Sequence, residues 1–206
     1  MAECKTSPEV GGMGHSVKRK EDPRFIRGQG NYVDDVVRPG MVFMDIVRSP
    51  YAHAKIKSIN TEKALAHPGV AAVITGETLK EYNLHMMPTL MSDTQMVLPI
   101  EKVCYQSQEV AAVVATDRYS AADGVELVEV EYEPLPVVVD PHKATDPDAP
   151  IIRDDKEGQE NNHIFHWEAG DKSGTDEIFQ NADVTVKKDI YLPRIHVASI
   201  ETCGCV

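Results

Sequence analysis

Apolar and polar positions alternate in short runs along this chain, a pattern that predicts strands separated by short helices. Residues 54–60 alternate strictly, with Ala54, Ile56 and Ser58 on one face, as in a half-buried strand. The pattern predicts further strands at residues 42–48, 70–75, 103–105, 110–116, 129–133 and 137–139, the last buried on both sides. Strands interleaved with short helices predict the α/β (α+β) class with a mixed sheet.

Two helices have recognisable start and stop signals. Thr61 is the expected N-cap of a helix over residues 62–66, which the turn His67-Pro68-Gly69 ends. Asp117 is the expected N-cap of a longer helix. The apolar face of that helix would consist of Ala121, Ala122, Val125 and Val128. Shorter helices are predicted at residues 77–83 and 176–181.

The same pattern divides the chain into four parts. Residues 1–27 predict an extended arm, 28–140 a domain, 141–162 a polar linker rich in Pro and Asp, and 163–206 the start of a second domain. This last part has predicted strands at 164–168, 182–191 and 195–206. Because the final apolar run has no polar tail, we expect a chain truncated at Val206.

Residues 84–99, LHMMPTLMSDTQMVLP, predict a long loop rich in methionine. Methionine makes adaptable apolar surface, and long loops in compact domains are usually functional. The loop is therefore a candidate interface, or its methionines fold back onto the domain.

Composition narrows the function classes. The chain has 42% hydrophobic and 26% charged residues, as in a globular protein, and its net charge of -12 argues against nucleic-acid binding. Residues 1–60 carry a net +3, which indicates either a docking surface for an acidic partner or a solvated basic tail. The four cysteines do not form a secreted disulfide scaffold, and we find neither a signal peptide nor a membrane span. A cytoplasmic location is expected.

Several residues invite a chemical interpretation, but a structural role explains them better. The glycines of residues 11–14 and 28–30 are expected in turns, not in a phosphate cradle. Cys203 and Cys205 would share one face of a strand as half of a metal site, or as buried structural thiols. His163 and His166 would lie on opposite strand faces, and His53 would be a turn residue. The sequence therefore predicts no catalytic, cofactor-binding or metal residue within the chain.

A family resemblance begins at RSPYAHAKI, residues 48–56, between GNYVDDVVRPGM and HPGVAAVITG. With the later run AADGVELVEVEYEPLPVVVD, these motifs resemble the N-terminal α/β-hammerhead domain of molybdenum hydroxylase large subunits. That family includes xanthine dehydrogenases, aldehyde oxidases and aerobic carbon monoxide dehydrogenases. The resemblance implies a hammerhead domain at residues 28–140 and the start of a molybdopterin-binding domain at 163–206.

Three stretches look most like the carbon monoxide dehydrogenase branch: YNLHMMPTLMSDTQMVLP, NNHIFHWEAGDK and PRIHVASIETCGCV. The resemblance implies an oxidoreductase that oxidises carbon monoxide with water to carbon dioxide and passes two electrons to an acceptor. The alternatives are another molybdenum hydroxylase, which acts on an aldehyde or N-heterocycle, and a non-catalytic α/β module that binds a protein partner.

The resemblance also implies cofactors and partners. The large subunit would hold molybdopterin cytosine dinucleotide with molybdenum and copper, bound by sequence beyond Val206. A medium subunit would carry FAD and a small subunit 2Fe-2S clusters, in a dimer of heterotrimers located in the cytoplasm or peripherally at the inner membrane. The Met-rich loop and the basic arm would contact these partners. No cofactor residue of the family falls on residues 1–206, so the chain by itself is expected to be inactive.

Overall fold

The computed structural model describes residues 18–89, 93–155, 158–199 and 201–206. It separates into two compact units, one formed by Met1–Pro39 with Lys188–Val206 and the other by Gly40–Lys187. The helices are α1 Asp22–Phe25, α2 Glu62–Leu65, α3 Gly76–Glu81, α4 Arg118–Leu127 and α5 Lys172–Gln180. The strands are β1 Phe43–Arg48, β2 Ala54–Asn60, β3 Val70–Thr75, β4 Met86–Pro88, β5 Thr94–Met96, β6 Lys102–Val103, β7 Glu109–Ala115 and β8 Glu129–Pro134. Within these ranges, no helix has the length and apolar character needed to cross a membrane.

The strands of the second unit form three small sheets, in the orders β1-β7-β3, β6-β2-β8 and β4-β5. The α/β (α+β) class is confirmed, but the prediction of a mixed sheet is wrong, since every strand pair in the described residues is antiparallel. A parallel pair needs a crossover that returns to the same sheet. Here α2 leads from β2 to β3 and α4 from β7 to β8, so each helix links two different sheets.

The main core lies between β7 and α4. Val113 at the centre of β7 is fully buried, and Ala121 and Gly124 of α4 are buried against the sheet. Asp117 caps α4 as predicted, since its Oδ1 accepts the backbone N–H groups of Tyr119 and Ser120, each at 2.9 Å. The predicted apolar face was wrong at Ala122, which is exposed. Gly124 faces the sheet instead, because only a residue without a side chain fits there.

Strand β2 loses its alternation at an irregularity. The register with β8 shifts between Ile56 and Ser58, so that Ile59 is half-buried and Ser58 is exposed, opposite to the prediction. The expected cap of α2 is also wrong, because the Thr61 side chain makes no cap bond. Asn60 Oδ1 instead accepts the N–H of Glu62 at 3.0 Å.

The predicted Met-rich loop is a β-hairpin. Strands β4 and β5 pair antiparallel, with Met86 opposite Met96, and residues 90–92 between them lie outside the described residues. Leu98 and Pro99, which follow the hairpin, are buried, whereas Met86 and Met87 are exposed. The residues that follow the hairpin therefore anchor it in the core, while Met86 and Met87 are exposed to solvent. Its role as an interface stays a prediction.

The strands predicted after β8 are wrong in the described residues, where no strand follows Pro134. Val139 is 84% exposed, and residues 164–168, 182–191 and the described part of 195–206 form irregular backbone. A strand needs a neighbouring strand to satisfy its backbone groups, and these segments have none here. Helix α5 is present but longer than predicted, because Asp171 caps it by accepting the N–H of Gly174 at 3.0 Å.

The first unit contains a short helix within the predicted arm, residues 1–27, of which residues 1–17 lie outside the described residues. Its described part contains the single turn of α1, with Pro23 in its first turn, and a 3₁₀ turn at Val33–Asp35. Val33 donates its N–H to Glu201 Oε1 at 2.9 Å. Gly28 has a φ of +69°, as expected of a turn glycine. The glycines of residues 11–14 lie outside the described residues.

Candidate functional site

The corner between β1 and β2, residues 49–53, is held by its own side chains and by the loop before β7. Ser49 is 2% exposed, and its Oγ accepts the N–H of Tyr51 at 3.0 Å while donating to the Tyr51 carbonyl at 2.9 Å. The Ser49 backbone bonds to Gln108 O and to the N–H of Ser107, each at 2.9 Å. The corner is therefore a rigid join between two sheets.

His53, which the sequence placed in this turn, is buried with 5% exposure. Its Nδ1 lies 2.6 Å from the carbonyl oxygen of Pro136, and because a carbonyl can only accept, Nδ1 carries the proton. Its Nε2 is buried without a hydrogen-bond partner in the described part of the chain. The imidazole thus ties the corner to the segment that follows β8.

Across the sheet, the register places His53 next to a cysteine. Ala54 pairs with Val103, so one step further His53 lies opposite Cys104. Residues directly opposite in an antiparallel pair point to the same face. His53 and Cys104 accordingly line one small cavity of about 150 Å³, with Val137–Val139 and Ile152 on its walls.

The predicted linker is not a free tether, because residues 150–155 pack against β5 and β6; we call these six residues the clasp. Arg153 forms two parallel bonds with Asp155, Nε to Oδ1 at 2.7 Å and Nη2 to Oδ2 at 2.8 Å. The same side chain donates to the carbonyl of Thr94 in β5 at 2.7 Å, and its Nη1 lies 3.6 Å from Asp93 Oδ2.

Three further residues, Lys102, Cys104 and Asn162, hold the clasp. Lys102 Nζ of β6 lies 2.5 Å from Asp154 Oδ1, and the Cys104 thiol donates to the Ile152 carbonyl at 3.6 Å. Asn162 Oδ1 accepts the N–H of Ile152 at 2.8 Å. The Asn162 amide nitrogen donates to the carbonyls of Ala144 and Pro150, each at 2.9 Å. Asn162 therefore gives the segment a defined backbone path.

A cavity of about 390 Å³ lies under the clasp. Its walls combine apolar side chains such as Met96, Pro99 and Ile152 with the Cys104 thiol and the clasp's charged groups. This size falls in the range of small-molecule sites. The cations that line it, Lys102 and Arg153, are already paired with clasp carboxylates. Neither of these two cations is therefore left unpaired for a ligand.

The electrostatics of the clasp follow from its packing. The hydrogen bond from Arg153 lowers the pKa of Asp155, although burial opposes this shift. The same bond raises the pKa of Arg153. Burial raises the pKa of the Cys104 thiol, only partly offset by the positive charges of Lys102 and Arg153. Cys104 is thus a protonated thiol with low reactivity near neutral pH.

The remaining histidines and cysteines singled out by the sequence do not form a common site in the described residues. His163 and His166 were predicted on opposite faces of a strand, but that segment is irregular and their rings are 6.5 Å apart. His166 is exposed and Nε2 lies 3.1 Å from Glu168 Oε1. Cys203 and Cys205 are exposed free thiols, so the prediction of buried thiols is wrong for this pair in the structure of this chain.

Among the described residues, no group of three or more His, Cys, Asp or Glu side chains could hold a metal ion. That no residue of the chain is catalytic or binds a cofactor stays a prediction.

The clasp is the feature that sequence reasoning missed. Arg153-Asp154-Asp155 looked like an ordinary charged stretch of a linker, and nothing in its spacing indicates partners at Asp93, Thr94 or Lys102. Those partners lie 52 to 60 residues away in sequence, so only the folded chain brings them together.

Comparison with known proteins gives the family. The family model "Aldehyde oxidase and xanthine dehydrogenase, a/b hammerhead domain" matches residues 27–136. The chain is 57% identical over 204 residues to the carbon monoxide dehydrogenase large chain of Afipia carboxidovorans, covering 95% of this chain and 25% of that protein. It is 35% identical over 201 residues to the nicotine 6-hydroxylase large subunit of Paenarthrobacter nicotinovorans, covering 94% of this chain and 24% of that one.

A solved structure supports the same family assignment. The crystal structure of the Cu,Mo-CO dehydrogenase in its carbon monoxide reduced state matches 86% of this chain and 24% of its own chain, with a TM-score of 0.69 and 58% identity. The chain spans about a quarter of the length of the curated relatives it matches. The resemblance at RSPYAHAKI is confirmed, since the hammerhead model covers that motif. The chain belongs to the aldehyde oxidase and xanthine dehydrogenase family, and residues 27–136 are its a/b hammerhead domain.

Proposed function

We propose that this chain is the N-terminal part of the large subunit of an aerobic carbon monoxide dehydrogenase. The observation that carries the proposal is the extent and level of one likeness. Identity to a carbon monoxide dehydrogenase large chain is 57% over 95% of the chain, well beyond the matched hammerhead residues, whereas a nicotine hydroxylase of the same family reaches 35%. The whole enzyme would oxidise carbon monoxide with water to carbon dioxide, two protons and two electrons.

The cofactors belong to the same proposal. The relatives are about four times as long as this chain, and the described residues contain no cluster of three or more His, Cys, Asp or Glu side chains that could hold a metal ion. We therefore place the molybdopterin cytosine dinucleotide, with its molybdenum and copper, in the rest of the large subunit. FAD and 2Fe-2S clusters on medium and small partner subunits would carry the electrons away, in a dimer of heterotrimers. We propose a cytoplasmic enzyme, with peripheral association at the inner membrane as a further possibility to test.

Within that enzyme this chain would act as a scaffold. The Ser49–His53 corner joins the two larger sheets, and Arg153 and Asn162 fix the path of the chain after the hammerhead domain. Residues 28–140, 141–162 and 163–206 remain our proposed boundaries for the hammerhead domain, the connecting segment and the start of the molybdopterin-binding domain.

The exposed methionines of the β4–β5 hairpin suit a contact with a partner subunit. We expect Met86→Gln with Met87→Gln to weaken assembly of the full-length large subunit with its partners, measured by size-exclusion chromatography. The matched control is Tyr119→Gln, which removes an exposed aromatic side chain from α4, away from the hairpin. Unchanged assembly of the methionine variant would exclude the hairpin as an interface.

The proposed function is tested on the full-length large subunit co-expressed with its partners. We expect stoichiometric molybdenum and copper by elemental analysis, and carbon monoxide-dependent reduction of an electron-accepting dye. Molybdenum without copper, combined with oxidation of an aldehyde, xanthine or nicotine, would favour another hydroxylase of the family. Absence of molybdenum would refute both enzymes and favour the protein-binding module. The 206-residue chain alone should be inactive and metal-free.

A further inference from the structure

We propose that the clasp is a strap with a closed and an open position, which Arg153 holds closed over the cavity and the Cys104 thiol. The structure shows the closed position, in which residues 152–155 of the clasp form one wall of the 390 Å³ cavity. The inference concerns the packing of the clasp on β5 and β6 and does not depend on the proposed function.

Arg153 is the main fastening because one side chain joins separate segments. It holds Asp155 within the clasp, the Thr94 carbonyl in β5 and the Asp93 carboxylate just before β5. Only 18% of this side chain is exposed, so its bonds are partly shielded from water and salt. The second ionic fastening is weaker, since the Asp154 side chain that meets Lys102 is 66% exposed.

The apolar contacts resist opening less than those of a dense core. Ile152 lines both the 390 Å³ and the 150 Å³ cavities, so empty space lies beside it where a core residue would have neighbours. Voids remove part of the dispersion attraction that holds a side chain in place. The clasp also contains no strand or helix, and so shares no ladder with β5 or β6.

Opening would expose more of Cys104, which is half-buried in the closed position, because its thiol donates to the Ile152 carbonyl in the clasp and lines the cavity beneath. Cys104 therefore reports the position of the clasp. Its rate of alkylation by iodoacetamide under native conditions measures how often the clasp opens, when each adduct is assigned by mass spectrometry. Cys203 and Cys205, which are exposed in the structure of this chain, are followed in the same experiment, and the wild-type rate at each cysteine is the reference for the variants.

The test uses the full-length subunit with three variants. Arg153→Gln removes the charge and the forked bonds, and Arg153→Lys keeps the charge without the fork. Lys63→Gln is the matched control, because it removes a surface ion pair with Glu129 away from the clasp. We expect alkylation of Cys104 to accelerate about tenfold or more in Arg153→Gln, since hydrogen bonds to charged groups have that weight. Arg153→Lys should be intermediate, and Lys63→Gln should match the wild type.

Urea titration of each variant measures its global unfolding, which distinguishes global unfolding from local opening of the clasp. The proposal is supported if Cys104 alkylation rises by more than the measured change in the unfolding equilibrium. It is overturned if Arg153→Gln leaves the rate unchanged, or if the rise in rate equals the change in global unfolding. An equal acceleration in Lys63→Gln would also overturn it.

Discussion

At Gly124 in helix α4, helix propensity and the packing of this fold predict opposite effects of a substitution by alanine. Replacing glycine by alanine inside a helix normally stabilises a protein by about 1 kcal/mol. Here a Cβ at position 124 would lie 2.7 Å from Val113 Cγ1 and 2.8 Å from Val70 Cγ2. We therefore expect Gly124→Ala to destabilise the chain.

The magnitude follows from two opposing contributions. Carbon atoms pack favourably at about 3.5 to 4.0 Å, so both contacts are too short and the sheet must shift. Overpacking of this kind costs about 1 to 3 kcal/mol. Val113 is fully buried at the centre of the sheet and cannot move aside freely. After the propensity gain of about 1 kcal/mol is subtracted, the net loss is about 1 kcal/mol, or a Tm lower by about 2 to 4 °C.

The assay is urea unfolding of the 206-residue chain followed by far-UV circular dichroism. Ala122→Gly is the control, because residue 122 is exposed on the same helix and should lose about 1 kcal/mol through propensity alone. Propensity predicts opposite signs for the two substitutions, whereas the structure predicts the same sign. A stabilised Gly124→Ala variant would refute the packing argument.

A double-mutant cycle assigns the clash. Val113→Ala removes the nearer of the two contacting methyl groups. In that background Gly124→Ala should cost about 1 kcal/mol less than in the wild type, since residues in contact are coupled. Strict additivity of the two substitutions would show that Val113 is not the obstacle.

Three further predictions concern caps and the clasp. Asn60→Ala should cost about 1 kcal/mol in urea unfolding whereas Thr61→Ala should be nearly neutral, because only the Asn60 side chain caps α2. Asn162→Ala should cost about 1 to 3 kcal/mol, since it leaves part-buried backbone groups without their partners. The lowered pKa of Asp155 means that its carboxylate stabilises the fold above the unfolded pKa of about 3.9. This stability should fade as pH falls through the lower folded value, so the difference between wild type and Asp155→Asn should shrink below about pH 4.

Each of these predictions has a contradicting result. If Asn60→Ala and Thr61→Ala lowered the free energy of unfolding equally, Thr61 would have to be counted as a cap of α2. An Asn162→Asp variant as stable as the wild type would show that the amide donors do not matter. A difference between wild type and Asp155→Asn that stays constant from pH 6 to pH 3 would mean that the folded state does not lower the pKa of Asp155.

The sequence by itself determined the features that local chemistry controls. Short runs of β-forming and apolar residues located the strands near residues 43–48, 54–60 and 70–75. Asp117 marked the start of α4 because an N-cap depends only on the next three residues. The motif RSPYAHAKI identified the family, and the hammerhead match confirms it. These signals lie within a few residues of one another.

Only the tertiary structure decided the rest, because the deciding contacts are distant in sequence. The bulge in β2 exists only in its register with β8, and Gly124 became a core position through Val113 and Val70. In the described residues, the segments after Pro134 have strand-like sequence patterns but no partner strand. Without a partner strand, their backbone N–H and C=O groups cannot form the hydrogen bonds of a sheet. Arg153 lies in the segment predicted as a polar linker, and only folding places Thr94 and Asp93 beside it.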